Sequence, residues 1–378
     1  MFMTIFKVYG KYQLYIATLL IGCNRTPLRI LTTTNGVGAG TPINIDTDIS
    51  NTTVSDRSDE VLSEHLKQHI TYLSKTIGSR NIEDQEHYQK LSQAAQYIDD
   101  AFKEIGYETN VMTYSATHTH QKFDVQNIEI VIPGSNSTSS ECIVIGAHYD
   151  TVLASPGADD NGSGIAVLIE IARHMYNIYT QDNTKIKHTI KLVAFPNEEC
   201  PYSVDEETGK HFCSNMGSVQ YAKQVKARGD VITGMISLES ISYFSNEPNS
   251  QIYPWYLKWL KYFYGDRGNF LMVIGDLKSR EFQKKWMARY EQITPKPFPM
   301  HRVALPGWMP NVYRSDHGSF SLEGFSAFMI TDTANLRNNH YHQATDKIET
   351  IDFNHFTQAA KSLIETVECL VLDGPLKT

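Results

Sequence analysis

The chain has 378 residues, of which 41% are hydrophobic and 20% charged, enough apolar material for a sizeable core and no compositional sign of wholesale disorder. Its formal net charge of −8 excludes general nucleic-acid binding, which needs a basic stripe to displace phosphate counterions. No internal repeat is apparent, so repeat architectures are set aside as well.

In chain order, Lys7 and Lys11 precede an apolar run from Leu14 to Ile21. The run is too short to span a bilayer comfortably and suits the hydrophobic region of an export signal. Leu20-Ile21-Gly22-Cys23 closes it and resembles a bacterial lipobox. That resemblance implies cleavage before Cys23, lipid on its thiol and a place at the cell envelope, on the periplasmic face or in the outer membrane. The alternative is an ordinary signal peptide with a chance cysteine and a secreted product. Residues 1–23 therefore read as a signal segment and 24–60, rich in Thr, Asn, Gly and Asp, as a flexible tether. Residues 61–378 read as the folded domain.

Within that domain, Leu91, Ala94, Ala95, Ile98, Phe102 and Ile105 recur at helical spacing, and Gly106 supplies a stop. Short apolar runs at Ile143–Ile145, Ile190–Phe195, Val231–Leu238 and Phe325–Ile330 read as strands buried on both faces, separated by helices such as Ile165–Met175. Phe356, Ala360, Leu363, Val367 and Leu370 mark a closing helix. The expected fold is α/β, a mixed, largely parallel central sheet with helices on both faces.

Three of the strand runs end in polar residues: His148 and Asp150, then Glu198 and Glu199, then Glu239. Ligands of open α/β sheets bind beyond the carboxyl ends of strands, so these residues fall where a site should form. The stretch GAHYDTVLASPGADDNGSG (146–164) crowds carboxylates that repel one another unless a cation is present. His148, Asp159, Glu199, Glu239 and His342 supply two imidazoles and three carboxylates, a donor set that suits zinc and can hold two ions if one carboxylate bridges. Asp159, in a loop of small residues ahead of a helix, is the expected bridge.

Taken in order, HYD (148–150), GADDNGSG (157–164), NEE (197–199), SDH (315–317) and YH with a later Asp (Tyr341, His342, Asp346) resemble the zinc exopeptidases. That family includes secreted bacterial di-zinc aminopeptidases, glutamate carboxypeptidase and, as one-zinc relatives, glutaminyl cyclases. The resemblance covers nearly the whole domain. It implies that His148, Asp159 and Glu239 hold one zinc while Asp159, Glu199 and His342 hold the other. It implies further that Glu198 is the general base, that Tyr341 donates to the tetrahedral intermediate, that Asp150 orients His148 and that Asp346 supports the His342 loop. Two departures are visible: relatives often carry Asp at the position of Glu239, and Thr-Pro is missing after His342.

Other features stay open at this level. Cys200 and Cys213 flank a polar excursion beside Glu199 and either form a disulfide or remain thiols. The aromatic stretch Tyr253–Phe270 is either a pocket wall or a surface helix packed on the core. Arg337-Asn338-Asn339 either meets substrate or pairs with an acid, and Asp316 and His317 read equally as packing residues. The expected activity is metallo-exopeptidase cleavage of a peptide substrate, most simply as an aminopeptidase; a glutaminyl cyclase-like enzyme and a non-catalytic binding module on the same fold are the alternatives.

Overall fold

The computed structural model describes residues 54–135, 141–199, 213–293 and 297–372. The signal segment, most of the expected tether and Cys200 lie outside the described residues. The expected domain boundary moves upstream, because helix α1 runs from Val54 to Ile70. Its polar beginning hides it in the sequence. Leu66 and Ile70 are nevertheless fully buried in the core, and Asp59 pairs with Lys361 at 2.6 Å, so these residues belong to the domain rather than to a tether.

Helix α2 (Gln85–Ile105) starts at Asp84, whose side chain accepts from the His87 backbone N–H, and ends at a left-handed Gly106. A hairpin follows, β1 (Thr109–His118) and β2 (Gln121–Ile132). Next come β3 (Glu141–His148), α3 (Gly164–Asp182), β4 (Thr189–Phe195), α4 (Gly217–Arg228) and β5 (Val231–Glu239). The aromatic stretch forms a 3-10 turn, Trp255–Leu260, continued by the short helix α5 (Lys261–Tyr264). The chain closes with β6 (Leu271–Asp276), α6 (Arg280–Tyr290), β7 (Met300–Leu305), α7 (Asp316–Leu322), β8 (Ala327–Thr331) and α8 (Phe353–Leu372).

These strands form a sheet of order β1-β2-β4-β3-β5-β8-β6-β7. The four at its centre, β4, β3, β5 and β8, are mutually parallel, while β1, β2 and the β6/β8 contact are antiparallel. Parallel strands need helical crossovers that cover both faces, which is why the central runs are continuously apolar and legible. Residues Cys142–His148 are buried throughout. By contrast β1 is an edge strand, largely exposed, and its weak alternation left no signal to read. No helix among the described residues is long and apolar enough to cross a membrane.

One consequence of the parallel centre decides where chemistry sits. The carboxyl ends of β3, β4, β5 and β8 all open on the same edge of the sheet, and the polar residues after each strand converge there.

Candidate metal centre

His148 is the last residue of β3 and Glu239 the last of β5. Glu198 and Glu199 follow β4, and His342 lies in the long loop after β8. In the loop ahead of α3, left-handed Gly157 (φ +65°) packs so close to Thr151 that a side chain would collide with it; glycine there lets the chain turn in under the strand ends.

That turn brings Asp160 between the two imidazoles. Its Oδ1 lies 3.2 Å from His148 Nε2 and its Oδ2 3.1 Å from His342 Nε2. Glu239 Oε2 completes the first group at 3.3 Å from His148 Nε2, and Glu199 Oε1 completes the second at 2.6 Å from His342 Nε2. Two histidine–carboxylate groups therefore share one carboxylate, an oxygen to each. His148, Asp160 and Glu199 also offer donor atoms within 4.8 Å of one another.

The carboxylate shared by the two groups is thus that of Asp160 and not that of Asp159, the expected bridge. The Asp159 carboxylate is already engaged: Oδ1 accepts from the Ser242 N–H (2.9 Å) and hydroxyl (2.7 Å), and Oδ2 accepts from Asn338 Nδ2 (2.8 Å). Adjacent residues on an irregular turn point in different directions, and the doublet in GADDNGSG gives no clue as to which faces the strand ends.

The supporting carboxylates hold backbone. Asp346 accepts from the N–H groups of Asp159 (3.0 Å) and Asp160 (3.1 Å), so it braces the bridging loop rather than the His342 loop to which it was assigned. Asp150 Oδ1 stands 3.4 Å from His148 Nδ1, the expected neighbour, and the same carboxylate also accepts from the N–H groups of Glu198 (3.0 Å) and Glu199 (2.9 Å). Asn161, unremarked in the sequence, donates to Leu238 O (2.7 Å) and accepts from Ser240 N–H (3.2 Å), tying the loop to β5.

Glu198 reaches a cavity whose polar end also includes Glu239, Arg314 and Tyr341 and whose walls include Leu257, Leu260, Met272, Ile274, Val303 and Leu305. The Tyr341 ring stacks on His342 with centroids 3.8 Å apart. Arg314 Nη2 donates to the Tyr341 hydroxyl at 3.2 Å. Arg314 escaped the sequence reading, although its position directly before SDH was an available signal. Tyr253, Tyr256, Leu257 and Leu260 make the aromatic stretch a cavity wall, while Trp255, Trp259, Tyr262 and Phe263 are exposed and Phe270 is buried.

The remaining open features resolve as structure. Arg337 is buried, and its guanidinium donates to Gln251 Oε1 (2.7 Å) and Phe270 O (2.9 Å), leaving it no approach to substrate. His317 is buried with Nε2 on Val312 O (2.7 Å), and burial pushes its imidazole down to about 4. Cys213 is disulfide-bonded; Cys200, the partner expected from the sequence, lies outside the described residues.

The donor set fits zinc on two observations. First, His148 Nδ1 and Nε2, His342 Nε2 and Asp160 Oδ1 are buried and make no hydrogen bond among the described residues, although they face carboxylates at the distances above. Ligand atoms around a tetrahedral zinc with bonds of about 2.0–2.1 Å sit about 3.3 Å apart, close to most of these separations. Second, the electrostatics call for cations. Burial, then the nearby Asp160 charge, push the Glu199 carboxyl up to about 8. Burial and the charge of Asp159 push Asp346 to about 8. Burial works against a charged His342, yet Asp160 and Glu199 override it and raise the imidazole to about 10. Divalent ions in this cluster would relieve the crowding and set both histidines neutral.

The sequence profile of peptidase family M28 matches residues 127–367, a span holding every residue of this centre. The chain belongs to peptidase family M28. Among proteins similar to this M28 peptidase, Escherichia coli YfbL is 28% identical over 80% of this chain and 86% of its own length. A probable leucine aminopeptidase of Arthroderma otae is 25% identical over 80% of this chain and 70% of its own. The fold is that of a zinc aminopeptidase from Bacillus subtilis, with a TM-score of 0.59 at 15% identity over 84% of this chain and 96% of that one.

Proposed function

We propose that this M28 peptidase is a di-zinc aminopeptidase that removes N-terminal residues with bulky apolar side chains. The observation that carries the reading is the shared carboxylate: Asp160 offers one oxygen to the His148–Glu239 group and the other to the His342–Glu199 group. Zinc bound to these residues would polarise the scissile carbonyl and lower the pKa of a bound water. The chain's own groups do the rest. Glu198 sits beside the centre without being part of either group. Burial, reinforced by Glu199, Glu239 and Asp316, holds its carboxyl well above the usual range despite His148, which suits a group that takes a proton from water and returns it to the departing amine. Arg314 donates to the Tyr341 oxygen, which leaves the single phenolic proton free to point at a developing oxyanion.

The apolar walls of the cavity suit an aliphatic or aromatic side chain, and the carboxylates of Glu198 and Glu239 at its polar end suit a free ammonium group. A peptide library followed by mass spectrometry tests the assignment. Loss of N-terminal Leu, Met or Phe is expected; shortening from the carboxyl end, or ammonia release from N-terminal Gln without hydrolysis, would contradict it.

The cell-envelope reading joins this proposal through the lipobox-like LIGC at residues 20–23. On that reading Cys23→Ser releases the protein from membranes or leaves it unprocessed with its zinc content intact. Native protein that is soluble and unacylated at Cys23 would contradict it.

A further inference from the structure

The outward face of the turn and helix Trp255–Tyr264 is unused by the site and unusually apolar. Tyr256, Leu257 and Leu260 face the cavity, whereas Trp255 is 81% exposed, Tyr262 91% and Phe263 73%, with Trp259 half exposed beside Phe263. Trp308, 83% exposed, stands on the loop that follows β7; Tyr256 and Pro310 of the same loop both line the cavity. Several large aromatic rings held in water on one short segment make the kind of exposed apolar patch that marks an interaction site.

We propose that this face docks on an anionic lipid bilayer. Two features favour a bilayer over a protein. The exposed rings are Trp, Tyr and Phe, the side chains that settle at the water–hydrocarbon boundary. The only charged residues from Tyr253 to Tyr264 are Lys258 and Lys261, both exposed. They form a local cationic edge in a chain of net charge −8, although Lys261 also meets Asp266 at 3.1 Å. Rings entering the boundary and lysines at the headgroups follow the pattern of an interfacial helix.

The chain carries Trp only at 255, 259, 286 and 308, and Trp286 is buried, so tryptophan emission reports on the patch. Full-length Cys23→Ser protein, which cannot be acylated there, is mixed with phosphatidylglycerol–phosphatidylcholine vesicles bearing brominated acyl chains. Quenching is expected, and it should be largely lost in Trp255→Ser/Trp259→Ser, in which Trp308 remains as the exposed reporter. Lys258→Gln/Lys261→Gln should weaken vesicle partition about tenfold or more at low salt, since each surface lysine contributes about a factor of five, and the effect should shrink in high salt. Binding without quenching, or no binding, overturns the proposal. So does a native dimer that the Trp255/Trp259 variant converts to monomer, which would give the face to a second copy. A variant that raises KM for long peptides without vesicles would instead give the face to substrate. The catalytic assay runs in parallel, so loss of peptidase activity and loss of docking are read separately.

Discussion

Two clusters among the described residues combine histidine with carboxylate in the interior, and they behave in opposite ways. Between α1 and α3, Glu170 receives His65 Nδ1 at 3.2 Å, His69 Nε2 at 3.3 Å and Arg173 Nε at 3.0 Å. Burial alone would raise the Glu170 carboxyl, but its hydrogen bonds with His69, Arg173 and His65 bring it down to about 2. One acid there meets three nitrogen partners, among them the Arg173 guanidinium. At the strand ends the ratio is reversed: Asp150, Asp160, Glu198, Glu199 and Glu239 gather around His148 and His342. Glu199 is driven to about 8. The same residue types make a closed structural clasp when charge balances internally and a metal centre when it does not.

Variants break this comparison at different points. The largest effect belongs to Asp160→Asn, which removes an oxygen from both groups at once. Zinc content should drop and peptide hydrolysis fall to background; full zinc with normal turnover would show that Asp160 is no bridge. Glu198→Gln comes next. It should keep zinc and lose turnover by about 10²–10⁴-fold, the usual cost of removing a general base, and metal analysis with kcat on one preparation checks both. Asp159→Asn should cost about 10–100-fold in zinc affinity or activity, as residues that hold ligands in place do, and it should leave the bridge itself in position.

Glu170→Gln should leave activity untouched and lower stability instead. With a carboxyl at about 2 in the folded chain and 4.5 as the ordinary value, the ion contributes roughly 3 kcal/mol at neutral pH. Because the folded value is depressed, that contribution is present above about pH 4.5 and fades as pH falls towards 2. Denaturant melts of wild type and variant should converge over that window. Curves equally separated at pH 2.5 and pH 7 would contradict the clasp.

How much of this was legible follows from the same physics. Strands buried on both faces announce themselves as continuous apolar runs, so β3, β4, β5 and β8 could be found, and with them the edge on which the site forms. His342 lies far along the loop after β8, whereas His148, Glu199 and Glu239 sit at or just beyond those strand ends, where local sequence dictates position. The Asp159–Asp160 pair does not. Which acid faces the imidazoles is set by contacts from Ser242, Asn338 and Asp346, all distant in sequence, and no local pattern encodes them. Arg314 was missed for a related reason: its meaning depends on Tyr341, far along the chain, meeting it across the cavity. The domain start was placed at residue 61, past the first turns of α1, because those turns carry few apolar residues and are secured by tertiary contacts such as Asp59 with Lys361.

Anomalous diffraction at the zinc edge, from crystals of the zinc-loaded protein, would locate the metals against Asp160 and Asp159. The account predicts two peaks about 3.5–4 Å apart, the spacing of paired catalytic metals, with one Asp160 oxygen on each and the Asp159 carboxylate still on Ser242 and Asn338. A single peak, or two peaks joined through Asp159, would contradict it.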